Sequence, residues 1–455
     1  MEMPIISSVE GIRWPALPAV AAASRLAVLF QLEQSQWWPL EKIRQRQFTQ
    51  INTLLRHCVA HVPYYRETLG HLVSIDGIDQ QQWLRLPVLT RDQVQQAGER
   101  LHTTVLSPSH GKVSMQRTSG STGKPVETLS TEITAFFWNI FTLRDHLWHR
   151  RDFSRKLAAI RFSLKDAVKP PHGAHAKTWG RATYGLFETG PAATLSILAP
   201  ISEQVAWLQR EDPDYLVTHP SVLTELALYC QREAIELPSL REVRTISELL
   251  PDGLRELCQQ VWGVKLVDMY STVELGYLAL QCPAHEHYHV QSEGVLLEIL
   301  DDNDEPCAAG ETGRVVVTDL HNFAFPLIRY EVGDYAEVGE PCDCGRGLPV
   351  LKHIKGRYRN ILTMPDGERR YPQLAIQHLH EIAPVQQFQA VQHTLNDIEI
   401  RLVLPRPLTA AEREKIISKF QHMLGTCFNF DVQQVDSLPR SASGKFEDFV
   451  SMLQA

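Results

Sequence analysis

Residues 118–125 read Thr118-Ser119-Gly120-Ser121-Thr122-Gly123-Lys124-Pro125. Glycines and small hydroxylated residues allow backbone N–H groups to approach an anion closely, and the Lys124 ammonium adds positive charge. The segment is not a Walker loop, because Pro125 follows Lys124 where that motif requires serine or threonine. A run of this composition is by itself more often a flexible surface loop than a phosphate site, so its meaning depends on the sequence around it.

Downstream of this segment, the chain alternates between short apolar β-rich pieces and helical ones. Such alternation is typical of an α/β architecture with a mostly parallel sheet. Strands are predicted at Lys156–Phe162, Tyr215–Thr218, Val243–Ile246 and Lys265–Met269, and helices at Glu203–Gln209, Val222–Glu233 and Leu254–Val261. Upstream, apolar residues at helical spacing predict a helix from residue 40 that ends at Pro63, and a second helix that begins near Thr90.

Two later parts of the chain have a different pattern. Short strands between residues 290 and 355 indicate a β meander or a small β-barrel-like part, with strands predicted at Val295–Leu300, Gly313–Thr318 and Asp334–Val338. The C-terminal part predicts a small α+β unit with strands at Gln386–His393 and Asp397–Val403 and a helix at Ala410–Leu424 capped by Thr409. We therefore predict two domains, 1–356 and 357–455.

Composition limits the class of protein. Hydrophobic residues make up 44% and charged residues 22% of the chain, which is the balance of a globular protein rather than a disordered one. The formal net charge of −8 and the lack of a basic block argue against a nucleic-acid partner. The apolar stretch 16–32 contains Arg25 and is short for a membrane span, so we expect a buried or amphipathic helix, no membrane association and a cytoplasmic protein.

An ordered series of motifs that includes segment 118–125 resembles the adenylate-forming superfamily of acyl-CoA synthetases, aryl-CoA ligases, peptide-synthetase adenylation domains and luciferases. The segment itself is similar to the phosphate loop of these enzymes. The remaining motifs follow in the order of the family: Asp268-Met269-Tyr270-Ser271-Thr272-Val273-Glu274, Gly310-Glu311-Thr312-Gly313, Arg329-Tyr330-Glu331-Val332-Gly333-Asp334, Lys355-Gly356-Arg357 and Pro439-Arg440-Ser441-Ala442-Ser443-Gly444-Lys445. Any one motif could arise by chance, but the ordered series is hard to obtain that way.

Further segments resemble the phenylacetate–CoA ligase branch of this superfamily. They are His61-Val62-Pro63-Tyr64-Tyr65, Leu86-Pro87-Val88-Leu89-Thr90, Pro326-Leu327-Ile328-Arg329-Tyr330 and Cys342-Asp343-Cys344-Gly345-Arg346. The resemblance covers residues 50–450. It implies an α/β fold with a large N-terminal domain, which has mostly parallel sheets and a small β-barrel-like part, and a small mobile α+β C-terminal domain.

The resemblance implies an ATP-dependent ligase that converts a carboxylic acid into an acyl-adenylate and passes the acyl group to a thiol. It assigns Glu274 to Mg²⁺ and Lys445 to catalysis. A carboxylate that meets a triphosphate needs a metal ion, backbone amides and a lysine to neutralise charge, so these roles suit the chemistry. Taken singly, Glu274 could be a helix-start carboxylate, Asp334 a turn residue and Lys445 a solvated lysine. The residues that the resemblance assigns to the nucleotide are Thr118, Ser119, Gly120, Ser121, Thr122, Gly123, Lys124, Glu248, Asp268, Tyr270, Ser271, Asp334 and Arg357.

A second group of residues has the composition of a metal site. Cys342 and Cys344 form a tight pair, and Cys282 lies upstream in a histidine-rich stretch. Three thiolates and one imidazole would hold a structural Zn²⁺ in a closed tetrahedral site. From the residues alone, His285, His287 or His289 could be the fourth ligand. The resemblance favours His289. The alternative is a set of ordinary buried cysteines with surface histidines.

Two positions depart from the family pattern. Val273 stands where threonine is usual, and Arg359 stands where a carboxylate or a lysine usually serves as the hinge of the small domain. A polar residue can still serve as a hinge, because a hinge needs only to absorb backbone rotation. The acyl-transfer step is where these departures matter most.

The sequence leaves the acid and its acceptor open. Four aromatic residues after the phosphate loop either line a pocket for an aryl acid or form a helix core: Phe136, Phe137, Trp138 and Phe141. The acceptor is coenzyme A, a carrier-protein thiol or an amine, and Arg369 or Arg370 either contacts a phosphate of coenzyme A or is solvated. A non-catalytic nucleotide-binding protein on the same fold is the alternative from another class, and the retention of Lys445 and Glu274 argues against it.

Overall fold

The computed structural model describes residues 5–74, 76–117, 126–357, 360–372, 374, 376–441 and 444–453, without the side chains of 377 and 378. The predicted phosphate loop, 118–125, and the hinge residue Arg359 lie outside these ranges. The chain forms two compact units. The first unit comprises Met1–Ser154, Lys177–Gly190 and Met269–Ile354, and the second comprises Arg155–Ala176, Pro191–Asp268 and Lys355–Ala455.

The described parts of the chain contain a run of helices, an alternating α/β region, a run of strands and a final mixed region. The α-helices are α1 (Val20–Ser35), α2 (Leu40–His61), α3 (Pro63–Thr68), α4 (Gln80–Leu84), α5 (Arg91–Ala97), α6 (Glu132–Trp148), α7 (Ile201–Glu211), α8 (Pro220–Glu233), α9 (Leu254–Trp262), α10 (Gln377–His380) and α11 (Ala410–Leu424). The strands are β1 (Ser114–Arg117), β2 (Glu127–Ser130), β3 (Leu157–Arg161), β4 (Ala174–Ala176), β5 (Ala192–Ser196), β6 (Tyr215–Thr218), β7 (Glu242–Thr245), β8 (Lys265–Val267), β9 (Met269–Thr272), β10 (Gly276–Gln281), β11 (Tyr288–Val290), β12 (Val295–Leu300), β13 (Thr312–Asp319), β14 (Tyr330–Val338), β15 (Val350–Arg357), β16 (Leu362–Thr363), β17 (Arg369–Arg370), β18 (Gln387–Gln392), β19 (Asp397–Val403), β20 (Asn429–Gln434) and β21 (Phe449–Ser451).

A largely parallel sheet lies in the second unit. Its order, within the described residues, is β4-β5-β3-β6-β7-β8, and β4 alone pairs antiparallel with its neighbour. Helices α7, α8 and α9 connect its strands, and their apolar faces form one core with the strands, including Val205, Trp207, Val222, Leu226 and Leu257. The predicted α/β architecture with a mostly parallel sheet is therefore confirmed.

The C-terminal part of the second unit is an α+β layer with its own core. Its sheet has the order β20-β19-β18-β21, in which β18 and β19 pair antiparallel and the outer strands are parallel to their neighbours. Helix α11 begins with a capping box, because Thr409 and Glu412 each accept the other's backbone N–H. The helix at Ala410–Leu424 and its cap are found as predicted, whereas the domain boundary between 356 and 357 stays a prediction.

The first unit contains a sheet of antiparallel pairs. Its order among the described strands is β12-β13-β14-β15-β11-β10-β9, and the predicted strands at Val295–Leu300, Gly313–Thr318 and Asp334–Val338 all belong to it. A barrel-like closure stays a prediction. Helix α1 buries Ala22, Leu29 and Leu32, as expected for the apolar stretch 16–32. In the described part of the chain, no helix has the length and apolarity that a membrane crossing needs.

Two motifs that are distant in sequence, 86–90 and 326–330, lie side by side in the first unit. The Leu89 N–H donates to the Arg329 carbonyl at 2.8 Å. The Arg329 guanidinium donates to the Leu86 carbonyl and lies 3.2 Å from the Glu298 carboxylate, and both of these charged side chains are buried. One buried cation therefore joins the segment before α5 to strands β12 and β14.

Replacing Arg329 by methionine should destabilise the fold by about 3–5 kcal/mol, because the Glu298 carboxylate would stay buried without its cation. Chemical denaturation measures this loss. Replacing Glu298 by leucine in the same chain should recover much of it, since no unpaired charge then remains. A single variant as stable as the parent protein would contradict the role given to this ion pair.

Candidate nucleotide site and metal centre

Asp268 lies at the carboxyl edge of the parallel sheet. It follows β8 directly, and Thr245 ends the neighbouring strand β7. The Thr245 hydroxyl donates to the Asp268 carboxylate at 2.6 Å, and both residues are buried. Open α/β sheets bind ligands outside the carboxyl ends of their strands. The predicted nucleotide residue Asp268 is therefore held in a fixed position at the edge where such folds place a ligand.

Tyr270 and Asp334 meet in the first unit. Tyr270 lies in β9 and Asp334 in β14, and the Tyr270 hydroxyl donates to Asp334 Oδ2 at 2.7 Å. Asp334 is half-buried and stands within a strand rather than in a turn. This hydrogen bond orients the Asp334 carboxylate, and therefore also its second oxygen, Oδ1. The structure thus brings together two of the residues that the sequence assigned to the nucleotide.

Glu274 lies in the turn between β9 and β10, not at the start of a helix. The Thr272 hydroxyl accepts the Leu275 N–H at 3.1 Å and closes this turn. Glu274 is half-buried, and Ser271 precedes the turn at similar exposure, whereas Val273 is 52% exposed. The turn presents a carboxylate, a hard oxygen ligand of the kind that Mg²⁺ prefers.

Glu248, which the sequence assigned to the nucleotide, lies in a polar network of the second unit. The partners of its carboxylate in this network were not predicted from the sequence. Its carboxylate accepts the backbone N–H groups of Ser221 at 3.0 Å and Phe446 at 2.8 Å. His219 Nδ1 lies 3.3 Å and Arg440 Nη1 3.5 Å from the same carboxylate. Burial alone would raise the pKa of Glu248, but hydrogen bonds from His219 and Ser221 lower it overall.

Lys445 and Arg357 also belong to the second unit. Lys445 is half-buried in a tight turn, where its N–H donates to the Ser441 hydroxyl at 3.1 Å and its carbonyl accepts the Ser441 N–H at 2.8 Å. Arg357 ends β15, and its N–H donates to the Asn360 side chain at 3.2 Å. The backbone that carries the predicted catalytic lysine is therefore well ordered by its own hydrogen bonds.

The predicted phosphate loop, Thr118–Lys124, lies outside the described residues, but the strands on either side of it are described. Strands β1 and β2 pair antiparallel, with Arg117 opposite Glu127. The two side chains form an ion pair at 2.9 Å. The strand residues nearest this segment, Arg117 and Glu127, are therefore paired in the first unit.

The aromatic residues of α6 are partly core and partly exposed. Phe141 is buried, and Phe137 stacks on His321 with ring centroids 3.7 Å apart. Trp138 is 38% exposed and packs on Tyr277 in β10 at 4.9 Å. This face of α6 therefore lies against the strand that follows the Glu274 turn.

Four predicted metal ligands converge in the first unit. The ligand atoms of Cys282, His289, Cys342 and Cys344 lie within 4.8 Å of one another. The Cys282 and Cys342 sulfurs are 3.9 Å apart, and Cys344 Sγ is 3.4 Å from His289 Nε2. A tetrahedral zinc ion with Zn–S bonds of about 2.3 Å separates two sulfurs by about 3.8 Å, so the thiolate spacing fits such an ion.

The surroundings of His289 fit the same ion. His289 Nδ1 faces the Leu348 carbonyl at 3.4 Å, which leaves Nε2 toward the sulfurs. An imidazole ligand commonly donates its second N–H to a carbonyl in this way. Burial lowers the pKa of His289 to about 3, so the ring is neutral at pH 7. His285 instead contacts the exposed Asp343 carboxylate at 2.5 Å.

Comparisons with known proteins agree with the fold. A sequence model of the CapK C-terminal domain matches residues 371–451. The phenylacetate-coenzyme A ligase of Thermus thermophilus is 25% identical over 448 residues, which cover 90% of this chain and 96% of that protein.

Two crystal structures of 2-hydroxyisobutyryl-CoA ligase have a similar fold. One, in the postadenylation state with R3-HIB-AMP, has a TM-score of 0.71 at 17% identity and covers 92% of this chain and 91% of that chain. The other, with 2-HIB-AMP and CoA in the thioesterification state, has a TM-score of 0.59 at 18% identity, and the match covers 92% of this chain and 91% of that chain. These comparisons show that the chain has the fold of 2-hydroxyisobutyryl-CoA ligase and is similar in sequence to a phenylacetate-coenzyme A ligase over nearly its full length.

Proposed function

We propose that the protein is an ATP-dependent carboxylic acid–CoA ligase that works through an acyl-adenylate. The observation that carries the proposal is the ordered motif series, which keeps Glu274 and Lys445 despite the departures at Val273 and Arg359, in a chain that matches a CoA ligase over nearly its full length. A merely nucleotide-binding protein would not need the lysine. The cytoplasm remains the predicted location.

The reaction has two steps. A carboxylate oxygen of the acid attacks the α-phosphorus of ATP, the bond to the bridging oxygen breaks, and pyrophosphate leaves. The thiolate of coenzyme A then attacks the acyl carbon, and AMP leaves with the electron pair of the carbon–oxygen bond. Both steps concentrate negative charge, so positioned donors and cations lower the barriers more than a protein nucleophile would.

The residues divide this work according to their chemistry. Segment 118–124 would hold the β- and γ-phosphates through backbone N–H groups and Lys124. Asp334, oriented by Tyr270, would accept the ribose hydroxyls, and Lys445 would bridge the acid and the α-phosphate. Glu274 would hold Mg²⁺, which neutralises phosphate charge. Nucleotide contacts are also proposed for Glu248, Asp268, Ser271 and Arg357.

The chemical class of the acid and the identity of the acceptor are inferred from the surface of α6 and from the related ligase. The exposed Trp138 beside Tyr277 offers an aromatic surface near the Glu274 turn, which would suit an aromatic acid. Coenzyme A is favoured over a carrier-protein thiol or an amine, because the related ligase is named for that acceptor. Arg369 and Arg370 are exposed on β17, and either would suit a phosphate of coenzyme A; Arg370 also contacts Glu368.

The cysteine cluster would hold a structural zinc ion, because four protein ligands leave no open position for a substrate. The ion would join the turn 342–344 to β11 and the segment before it. Arg346 supports this turn, since its guanidinium lies 4.8 Å from the Trp37 ring and 4.4 Å from the Trp148 ring.

Fresh protein that has not met a chelator should contain about one zinc ion per chain, held by four ligands. Replacing Cys344 by serine should lower the zinc content and the melting temperature more than the rate of adenylation. The exposed Cys427 gives a matched control, since its replacement by serine should leave the zinc content unchanged. Elemental analysis that finds no zinc in the parent protein would remove the metal centre.

Replacing Lys445 by alanine should slow acyl-adenylate formation by about a hundred- to a thousand-fold, because one electrostatic donor in an active site is worth roughly 3–4 kcal/mol. The variant should still convert a supplied acyl-adenylate and coenzyme A into thioester. Arg359→Pro should show the opposite pattern, since a fixed backbone angle hinders rotation at the hinge. Single-turnover kinetics separates the two steps, and equal impairment of both by Lys445→Ala would refute the assignment.

A further inference from the structure

Arg440 lies five residues before Lys445 and makes most of its polar contacts outside the C-terminal layer. Its guanidinium donates to the Ser221 hydroxyl at 2.7 Å and to the Glu225 carboxylate at 3.1 Å, and it lies 3.5 Å from Glu248. Ser221 and Glu225 stand one turn apart on α8, so they face the same side. Arg440 is 17% exposed, Glu225 16% and Glu248 4%.

The loop that carries Lys445 makes a second contact with Glu248, through the backbone of Phe446. The Phe446 N–H donates to Glu248 Oε1 at 2.8 Å. Arg440 and Phe446 therefore flank the turn of Ser441 and Lys445, and both are bonded to one buried carboxylate. Inside the C-terminal layer, the described contacts of Arg440 are the Gly444 carbonyl at 3.3 Å and the Phe446 ring at 5.7 Å.

Gly444 provides a third attachment, through close packing. Its φ of +79° is a conformation that favours glycine. A Cβ at this position would lie 2.7 Å from the Phe162 ring, just beyond β3. The glycine before the lysine therefore lets the turn approach the parallel sheet closely.

The charges around Arg440 require a cation. Glu225 and Glu248 are both buried on this surface. Burial raises the pKa of Glu225 to about 7, against the opposing influence of Arg440, and Gln387 of β18 donates to the same carboxylate at 2.9 Å. Without the guanidinium, Glu225 and Glu248 would lose the cation that they share. Glu225 would keep the Gln387 hydrogen bond, and Glu248 would keep His219 and two backbone N–H groups, but loss of a shared cation is costly in a largely buried site.

We infer that Arg440 is a positioning residue, whose bonds to Ser221, Glu225 and Glu248 place the turn that carries Lys445 for acyl-adenylate formation. This inference rests on the proposed function. Glu248, assigned to the nucleotide from the sequence, then has a second task as the anchor of this loop. Arg440 itself touches no reacting atom, so its effect is exerted through the position of Lys445.

Arg440→Gln in the full-length protein should slow acyl-adenylate formation about a hundred-fold, the loss expected when a catalytic group is misplaced by about 1 Å. The rate constant should fall while the KM for ATP stays unchanged, because the phosphate loop is intact. Conversion of a supplied acyl-adenylate and coenzyme A into thioester should proceed at the parent rate. Arg440→Lys keeps the charge but loses the fork geometry, so it should recover part of the rate.

Glu225→Gln should lower the same rate constant less, since its amide oxygen still accepts a hydrogen bond. Arg406→Gln is the matched control: Arg406 is a half-exposed C-terminal arginine paired with Glu412, and its loss should change neither step. A parent protein that forms no adenylate would reject the proposed function. A parent that forms adenylate, with Arg440→Gln slowing neither step or both equally, would reject the positioning role alone.

Discussion

A carboxylate that approaches a triphosphate meets electrostatic repulsion, and the proposed chemistry depends on overcoming it. A cation that offsets this repulsion has to be placed accurately. Lys445 is the cation assigned to the reacting atoms, and its turn is ordered by the Ser441 hydrogen bonds. The proposed carboxylate ligands are held in position as well. Asp334, assigned to the ribose hydroxyls, is oriented by Tyr270, and Glu274, assigned to Mg²⁺, lies in a turn closed by a hydrogen bond. Fixed donors and acceptors of this kind lower a barrier because no reorganisation is needed when charge develops.

Buried charges recur where distant parts of the sequence meet. Arg329 joins the segment before α5 to two strands through Glu298, and Arg440 joins the C-terminal turn to α8 through Glu225. A buried ion pair contributes little net stability, but removal of one partner is costly. Such pairs therefore define which segments lie together. The contact of Arg329 with Glu298 lies in a packed core. The contacts of Arg440 with Ser221, Glu225 and Glu248 are polar and involve a single loop, which suits a contact that forms in one step of a reaction.

Local patterns predicted the elements well, whereas most long-range contacts, apart from the cysteine and histidine cluster, were not predicted. Thr409 with Glu412 three residues later specified the start of α11 because a capping box is local. The partners of Glu248 were missed, since Ser221 and Phe446 reach it only through the tertiary fold. Likewise, His287 precedes β11 and His289 lies within it, and the Leu348 carbonyl and the cysteine positions, which come from the tertiary fold, distinguish the two histidines. The motif Pro439–Lys445 did contain a signal for Arg440, but nothing in the sequence indicated which carboxylates it would meet.

The proposed function depends on one step, the reaction of a carboxylic acid with ATP to give an acyl-adenylate and pyrophosphate. ATP–pyrophosphate exchange across a panel of aromatic and aliphatic carboxylic acids tests it most directly, because exchange requires reversible adenylate formation and no acceptor thiol. We expect labelled pyrophosphate to enter ATP only when a suitable acid and Mg²⁺ are present, without coenzyme A. Absence of exchange with every acid, in folded protein shown to bind ATP, would rule out adenylate formation by this protein.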